Sequence, residues 1–251
     1  MGHLSNRALK IIGSVTLEMN EKIHQLKKQG RDVFNLTSGQ LPFRPEANFI
    51  HSLQGQLSFL SSYQYSPVRG LPELLEKFTN QFLNSRFSSW SKTETDEFKN
   101  NNSMLISNGS KQSLYNLFAT IFNKGDEVML FSPYWVSFPE MIKFWGAIPK
   151  IVDCHHYDGF HPDLEQVKEI LASTKIRAII LNSPNNPTGV HYSEVWMKQF
   201  AQIVKEYPEV IIVCDEIYEQ LYYYDPAPTY FYQYAPELLS RTVIINGISK
   251  S

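Results

Sequence analysis

Ala178-Ile179-Ile180-Leu181-Asn182-Ser183-Pro184-Asn185-Asn186-Pro187-Thr188-Gly189 places a short apolar run directly before a loop of amides, prolines and a glycine. A brief apolar run bounded by turn residues reads as a strand buried on both faces. The loop that follows has turn chemistry at almost every position. Residues 193–206 then carry a helical pattern, and Val210–Cys214 repeats the apolar run. The alternation extends upstream through strands expected at Met104–Ser107, Val128–Phe131 and Ile148–Val152. Helices are expected between them at Gln112–Phe122, near Val136–Phe144 and around Leu164, Val167, Ile170 and Leu171. Downstream, Thr242–Ile245 adds a last strand. Apolar strands alternating with amphipathic helices imply α/β architecture, a three-layer α/β/α sandwich around a mostly parallel sheet.

The first hundred residues read differently. Residues 4–30 suggest an amphipathic helical arm ending in Lys27-Lys28-Gln29-Gly30. Phe49, Leu53, Leu57 and Leu60 recur at helical spacing, and Leu71-Pro72-Glu73 opens a further helix, with proline and an acid where a helix N-terminus favours them. The polar stretch Ser88–Asn102 reads as a solvated loop.

Composition narrows the function. The 251 residues allow between one and two domains at roughly 150 residues each. Lys+Arg 23 against Asp+Glu 25 leaves a net charge of −2, which argues against a nucleic-acid partner held by bulk electrostatics. No apolar run approaches the roughly 18 residues of a membrane span, and Met1-Gly2-His3-Leu4-Ser5-Asn6 is not a signal peptide. Cys154 and Cys214 make no disulfide framework. A soluble, cytoplasmic protein is expected.

In open α/β sheets, ligands bind beyond the carboxyl ends of the strands. Asn108-Gly109-Ser110-Lys111 follows one expected strand at a helix start, where backbone N–H groups favour an anion. Ser132-Pro133-Tyr134-Trp135 follows the next, and Asn182–Gly189 the next. Asp215-Glu216-Ile217-Tyr218 and Asn246-Gly247-Ile248-Ser249-Lys250 follow the last two. One sheet edge thus gathers an anion-binding turn, an aromatic, an amide, a carboxylate, a phenol and a lysine. That inventory suits a flat, phosphorylated, electron-accepting ring that condenses with an amine.

These stretches, together with Gly125-Asp126-Glu127-Val128 and Ser249-Lys250-Ser251, resemble class I aminotransferases, the fold-type-I enzymes that use pyridoxal phosphate. The run Ser132–Phe144 looks closest to bacterial aspartate and broad-range aminotransferases. The resemblance implies pyridoxal 5'-phosphate as cofactor and amino-group transfer between an amino acid and a 2-oxo acid. It makes Lys250 the Schiff-base lysine and proton carrier, Asp215 the partner of the ring nitrogen, and Asn186 and Tyr218 the partners of the ring oxygen. Gly109, Ser110 and Lys111 would hold the phosphate, and Trp135 would stack on the ring. Gly39 would contact the substrate carboxylate, with Trp135 and Asn186 also on the substrate side. Tyr65 would reach the phosphate of a neighbouring subunit, which implies a homodimer with shared sites. Residues 1–40 would form an arm and part of a small domain, and 41–251 the cofactor-binding large domain.

The family's pattern is altered at Gln40-Leu41-Pro42-Phe43, after Gly39, and at Gly247, where some members have a hydroxyl. Family members also continue past the lysine, through a phosphate-binding arginine and a small domain, so the chain looks truncated just after Lys250 and its own activity is in question. Two alternatives stand beside aminotransfer: another fold-type-I reaction such as carbon–sulfur lysis, and an inactive fragment. Cys154-His155-His156 with Asp153 and His161 is a weak metal pattern, and no metal is expected. The tyrosine-rich run Tyr222-Tyr223-Tyr224 to Tyr230-Phe231-Tyr232, with Tyr234, has few basic neighbours and reads as a packed loop or a subunit contact.

Overall fold

The computed structural model describes residues 4–10, 15–37, 39, 41, 43–223 and 227–250. Met1, Gly2, His3, Gln40, Pro42, Tyr224 and Ser251, all named above, lie outside the described residues. The chain divides into two compact units, Val15–Ile106 and Met1–Ser14 with Ser107–Ser251.

The first unit is helical: α1 is Val15–Lys28, α2 Ala47–Gln56, α3 Pro72–Arg86 and α4 Lys92–Asn101. α3 begins with its proline in the first turn, carries Glu73 there and Arg86 in the last turn, and so opposes its macrodipole at both ends. Its buried Leu83 sits beside an aromatic cluster in which Phe87 stacks on Trp90 at 4.0 Å and Phe82 on Phe98 at 5.8 Å. α4 corrects the solvated loop expected over Ser88–Asn102. Ser91 Oγ accepts from the Glu94 backbone N–H at 3.3 Å, and the Glu94 carboxylate accepts from the Ser91 N–H at 2.7 Å. This capping box starts a helix that composition alone makes look unstructured.

The strand expected at Met104–Ser107 is also corrected, because no ladder forms there. Its backbone bonds go to Arg69 instead: the Ile106 N–H donates to the Arg69 carbonyl at 2.9 Å, and Arg69 Nη2 donates to the Met104 carbonyl at 3.2 Å. An apolar run becomes a strand only where a neighbouring edge accepts it.

The second unit has the expected alternation: β1 Glu127–Ser132, β2 Ile148–Asp153, β3 Ile176–Asn182, β4 Ile211–Asp215 and β5 Thr242–Ile245. Every pairing is parallel, in the order β2-β1-β3-β4-β5. The helices are α5 Ser110–Ile121, α6 Ser137–Phe144, α7 Leu164–Ser173, α8 Glu194–Lys205 and the short α9 Phe231–Tyr234.

Strand periodicity divides the core between two faces. Val128, Leu130, Ala178, Ile180 and Val213 pack with Leu114 and Phe118 of α5 and Phe138 and Ile142 of α6. The alternate residue Phe131 meets Trp196 of α8 edge-on at 6.1 Å, and Trp196 stacks on Phe200. Helices on both faces make the three-layer sandwich. Arg241 fastens the entry to β5, donating to the carbonyls of Val204 at 2.6 Å, Tyr207 at 2.9 Å and Val210 at 2.7 Å. Tyr230 and Tyr232 are buried and stacked at 5.7 Å, so that part of the tyrosine-rich run is core.

Candidate active site

The register brings the strand ends level. Asn182 stands opposite Asp215, and Asp215 opposite Ile245. The loops leaving β3, β4 and β5 therefore begin side by side, and each carries one of the expected groups.

Asp215 ends β4, 4 % exposed, and its carboxylate accepts from the Ile217 N–H at 3.3 Å. Burial pushes its pKa up to about 7, against the opposing pull of that N–H. Such an acid prefers either a proton or a cation beside it. Tyr218 lies one turn further on, and its hydroxyl accepts from Asn186 Nδ2 at 3.1 Å. Burial raises the Tyr218 pKa, the Asn186 bond opposes this, and the charge of Asp215 adds to it.

The loop carrying Asn186 is tied to itself. The Thr188 N–H and hydroxyl both donate to Asn185 Oδ1, at 3.2 and 2.9 Å. Gly189 turns the chain at φ +71°, a left-handed conformation that glycine takes without strain. The Asn186 N–H donates to Asn182 Oδ1 at 2.8 Å, and Asn182 Nδ2 donates to the Asp215 carbonyl at 2.9 Å.

α5 begins after Gly109, whose φ of +81° also favours glycine. Helix geometry leaves the amides of its first turn without intrahelical acceptors, and that turn carries Ser110 and Lys111. Lys111 Nζ lies 4.8 Å from the Trp135 ring centre, in cation–π geometry. Half-buried Trp135 meets Phe138 edge-on at 5.3 Å, which fixes its plane. Lys250 closes the 3-10 turn Ile248–Lys250 just beyond β5 and is half-buried. Directly before that turn, Gly247 lies close to Ile217: a Cβ there would stand 3.2 Å from its Cδ1.

The structure thus joins Asn186 to Tyr218 and Lys111 to Trp135, and sets Asp215 level with the residue that begins the Lys250 loop. Gly39 and Tyr65 belong to the Val15–Ile106 unit, where both are exposed. The metal pattern is not assembled: His155 stacks on Tyr157, and no three His, Cys, Asp or Glu among the described residues group as metal ligands. Two features escaped the sequence reading. Asn182 bridges Asp215 and Asn186, and a polar residue closing an otherwise apolar strand is the one signal that marks it. Buried Glu216 accepts from Tyr232 OH at 2.8 and 3.0 Å, a pairing 16 residues apart that only the fold creates.

Comparison with known proteins finds similarity along nearly the whole chain. The family model described as aminotransferase class I and II matches residues 31–251. The aspartate aminotransferase of Geobacillus stearothermophilus is 34% identical over 250 residues, covering 99% of this chain and 60% of that protein. The aspartate/prephenate aminotransferase of Thermus thermophilus is 34% identical over 255 residues, covering 100% of this chain and 61% of that one. The solved structure of aspartate aminotransferase from Thermus thermophilus with maleate superposes with a TM-score of 0.84 at 34% identity, covering 100% of this chain and 61% of that chain. The chain therefore spans about three fifths of the length of these relatives.

Proposed function

The chain belongs to the class I and II aminotransferases, and on that premise we propose that it transfers an amino group between an amino acid and a 2-oxo acid with pyridoxal phosphate as cofactor. The observation that carries this reading is the buried acid Asp215, its pKa lifted to about 7, at the strand end beside the Asn186–Tyr218 pair. A carboxylate so placed fits a heteroaromatic ring that offers a protonated nitrogen. The amide–phenol pair fits an oxygen substituent on the same ring, and the amides of the α5 first turn fit its phosphate.

When bound, the cofactor supplies an electron sink for the bond broken at the substrate's Cα. The chain's own residues do the rest. Asp215 would stay ionised beside a protonated ring nitrogen. Asn186 and Tyr218 would hold the ring oxygen, Trp135 would stack on the ring, and Gly109, Ser110 and Lys111 would hold the phosphate. Lys250, in the turn just beyond β5, would hold the cofactor through its side-chain amine. That amine, when free, would take the proton from the substrate's Cα and pass it on as a general acid. Gly39, Trp135 and Asn186 orient the substrate. Acidic or aromatic amino acids are the proposed donors, in line with relatives named aspartate and aspartate/prephenate aminotransferase.

A homodimer with shared sites, in which Tyr65 reaches the partner's phosphate group, belongs to the same reading. So do a functional division near residue 40 and a cytoplasmic location, the latter supported by two buried thiols, Cys154 and Cys214.

The test is covalent attachment. After incubation with pyridoxal phosphate and borohydride reduction, intact-mass measurement should show one cofactor on the unsubstituted protein and none on Lys250→Ala. A reducible adduct retained in Lys250→Ala contradicts the assignment. Stoichiometric ammonia release from an amino acid, without aminated cofactor, points to a lyase instead.

A further inference from the structure

Asn182 closes β3 as a buried side chain, and both halves of its amide are engaged. Nδ2 donates to the Asp215 carbonyl at 2.9 Å, across the ladder in which the two residues stand in register. Oδ1 accepts from the Asn186 N–H at 2.8 Å, four residues further along the chain. One amide thus grips the main chain of two residues whose side chains approach the proposed ring differently. Asp215 comes from a strand end and Asn186 from a loop. Without a shared anchor, the loop could shift against the strand while each retained its own hydrogen bonds.

We propose that Asn182 is a positioning residue: it fixes the separation of the Asp215 carboxylate from the Asn186 amide, and so sizes the slot for a flat ring bearing a basic nitrogen and an oxygen substituent. The inference rests on the functional reading above, in which those two side chains face the cofactor. It concerns the chain's own geometry and makes no contact between Asn182 and the cofactor.

The amide is specifically suited to this place. An alanine leaves the Asn186 N–H and the Asp215 carbonyl without their partner. An aspartate still accepts from the Asn186 N–H, but its second oxygen faces the Asp215 carbonyl, acceptor against acceptor. It also adds a carboxyl beside a buried acid that already disfavours charge. Asn182→Asp therefore cuts one tie and keeps the other, whereas Asn182→Ala cuts both.

The experiment compares the full chain with Asn182→Ala, Asn182→Asp and Val204→Ala, the last a cavity-forming control at a buried position on α8. Hydrogen exchange at the Asn186 amide, followed by NMR without cofactor, should be at least roughly tenfold faster in Asn182→Ala and near the original rate in Asn182→Asp and Val204→Ala. Pyridoxal phosphate should bind about tenfold more weakly to both Asn182 variants, through lost preorganisation. The pH midpoint of the bound cofactor's visible band should move in both and stay put in Val204→Ala. Unchanged exchange at Asn186 in Asn182→Ala overturns the tie. Faster exchange with the control's affinity and midpoint makes Asn182 merely structural and overturns the positioning role, while the functional reading stands. Failure of the unsubstituted protein to take up pyridoxal phosphate overturns that reading, and the slot's proposed ligand with it.

Discussion

Burial at the end of β4 sets the charge state of Asp215. A carboxyl held at about pKa 7 in the fold titrates near 3.9 in an unfolded chain, so between those values the folded state binds the extra proton. Stability contributed at this residue therefore falls as pH rises from about 4 to about 7. Above pH 7 the cofactor-free fold carries the whole cost of burying the charge, on the order of 4 kcal/mol. Asp215→Asn keeps an acceptor for the Ile217 N–H and removes the titration. Urea unfolding without cofactor should find the variant close to the original near pH 4 and more stable by a few kcal/mol at pH 8; parallel pH profiles would refute the buried charge. A cation against the carboxylate reverses the balance, so pyridoxal phosphate should stabilise the original protein at pH 8 more than it does Asp215→Asn. On the proposed function, the same substitution should lower transamination by about 10²–10³, the usual effect of losing one preorganised electrostatic contact. That Asp215, Asn186 and Tyr218 would gather at one sheet edge was legible in the sequence, because each lies at or soon after the end of a buried apolar run. Asn182 was not, because its role lies in two bonds to main chain that no side-chain pattern encodes.

At the scale of elements, the parallel sheet was readable because its central strands β1, β3 and β4 are mostly buried and built around apolar runs. β5 has the expected bounds, and the other four strands gain only a residue or two at their ends or shift by one. The two corrections share a cause: composition says whether a segment suits an apolar interior, not which partners it finds. Met104–Ser107 is apolar enough for a strand, yet its bonds go to Arg69. Ser88–Asn102 is polar enough for a loop, yet Ser91 and Glu94 cap a helix within it. Serine followed three residues later by glutamate was the available signal. Ser91→Ala should lower stability by about 1 kcal/mol, read as a lower urea midpoint with an unchanged slope. The Ser91 bonds hold the Glu94 carboxyl below its ordinary pKa, so the contribution of that bond is present at neutral pH and fades as acid protonates Glu94. A Ser91→Ala protein that lost as much stability to acidification as the original would show that the box adds nothing.

At the scale of the whole molecule, the Val15–Ile106 unit carries apolar side chains that water alone would not select. Phe49 and Leu53 on α2 and Leu57 at its C-terminal cap remain more than half exposed, and Phe59, Leu60, Tyr63 and Tyr65 continue the exposed run beyond it. Single exposed apolar residues are ordinary, but a contiguous run of this kind marks a contact surface. The proposed dimer gives it an occupant of matching chemistry, because a two-fold interface pairs one patch with its own copy and an apolar patch is self-complementary. Leu53 and Leu57 lie four residues apart on one helical face, so Leu53→Lys/Leu57→Lys sets two charges into such an interface. Neither side chain is buried within the chain, so the fold should survive with its thermal midpoint changed by no more than a few degrees. Sedimentation velocity at micromolar concentration should then find a dimer for the original protein and a monomer for the double variant. Covalent attachment of the cofactor at Lys250 separates the two roles of the surface: a monomer that still carries it, but holds its phosphate less tightly, has lost only the partner's Tyr65. A double variant that remained dimeric would place the subunit contact away from α2, and an original protein found as a monomer would remove the shared site altogether.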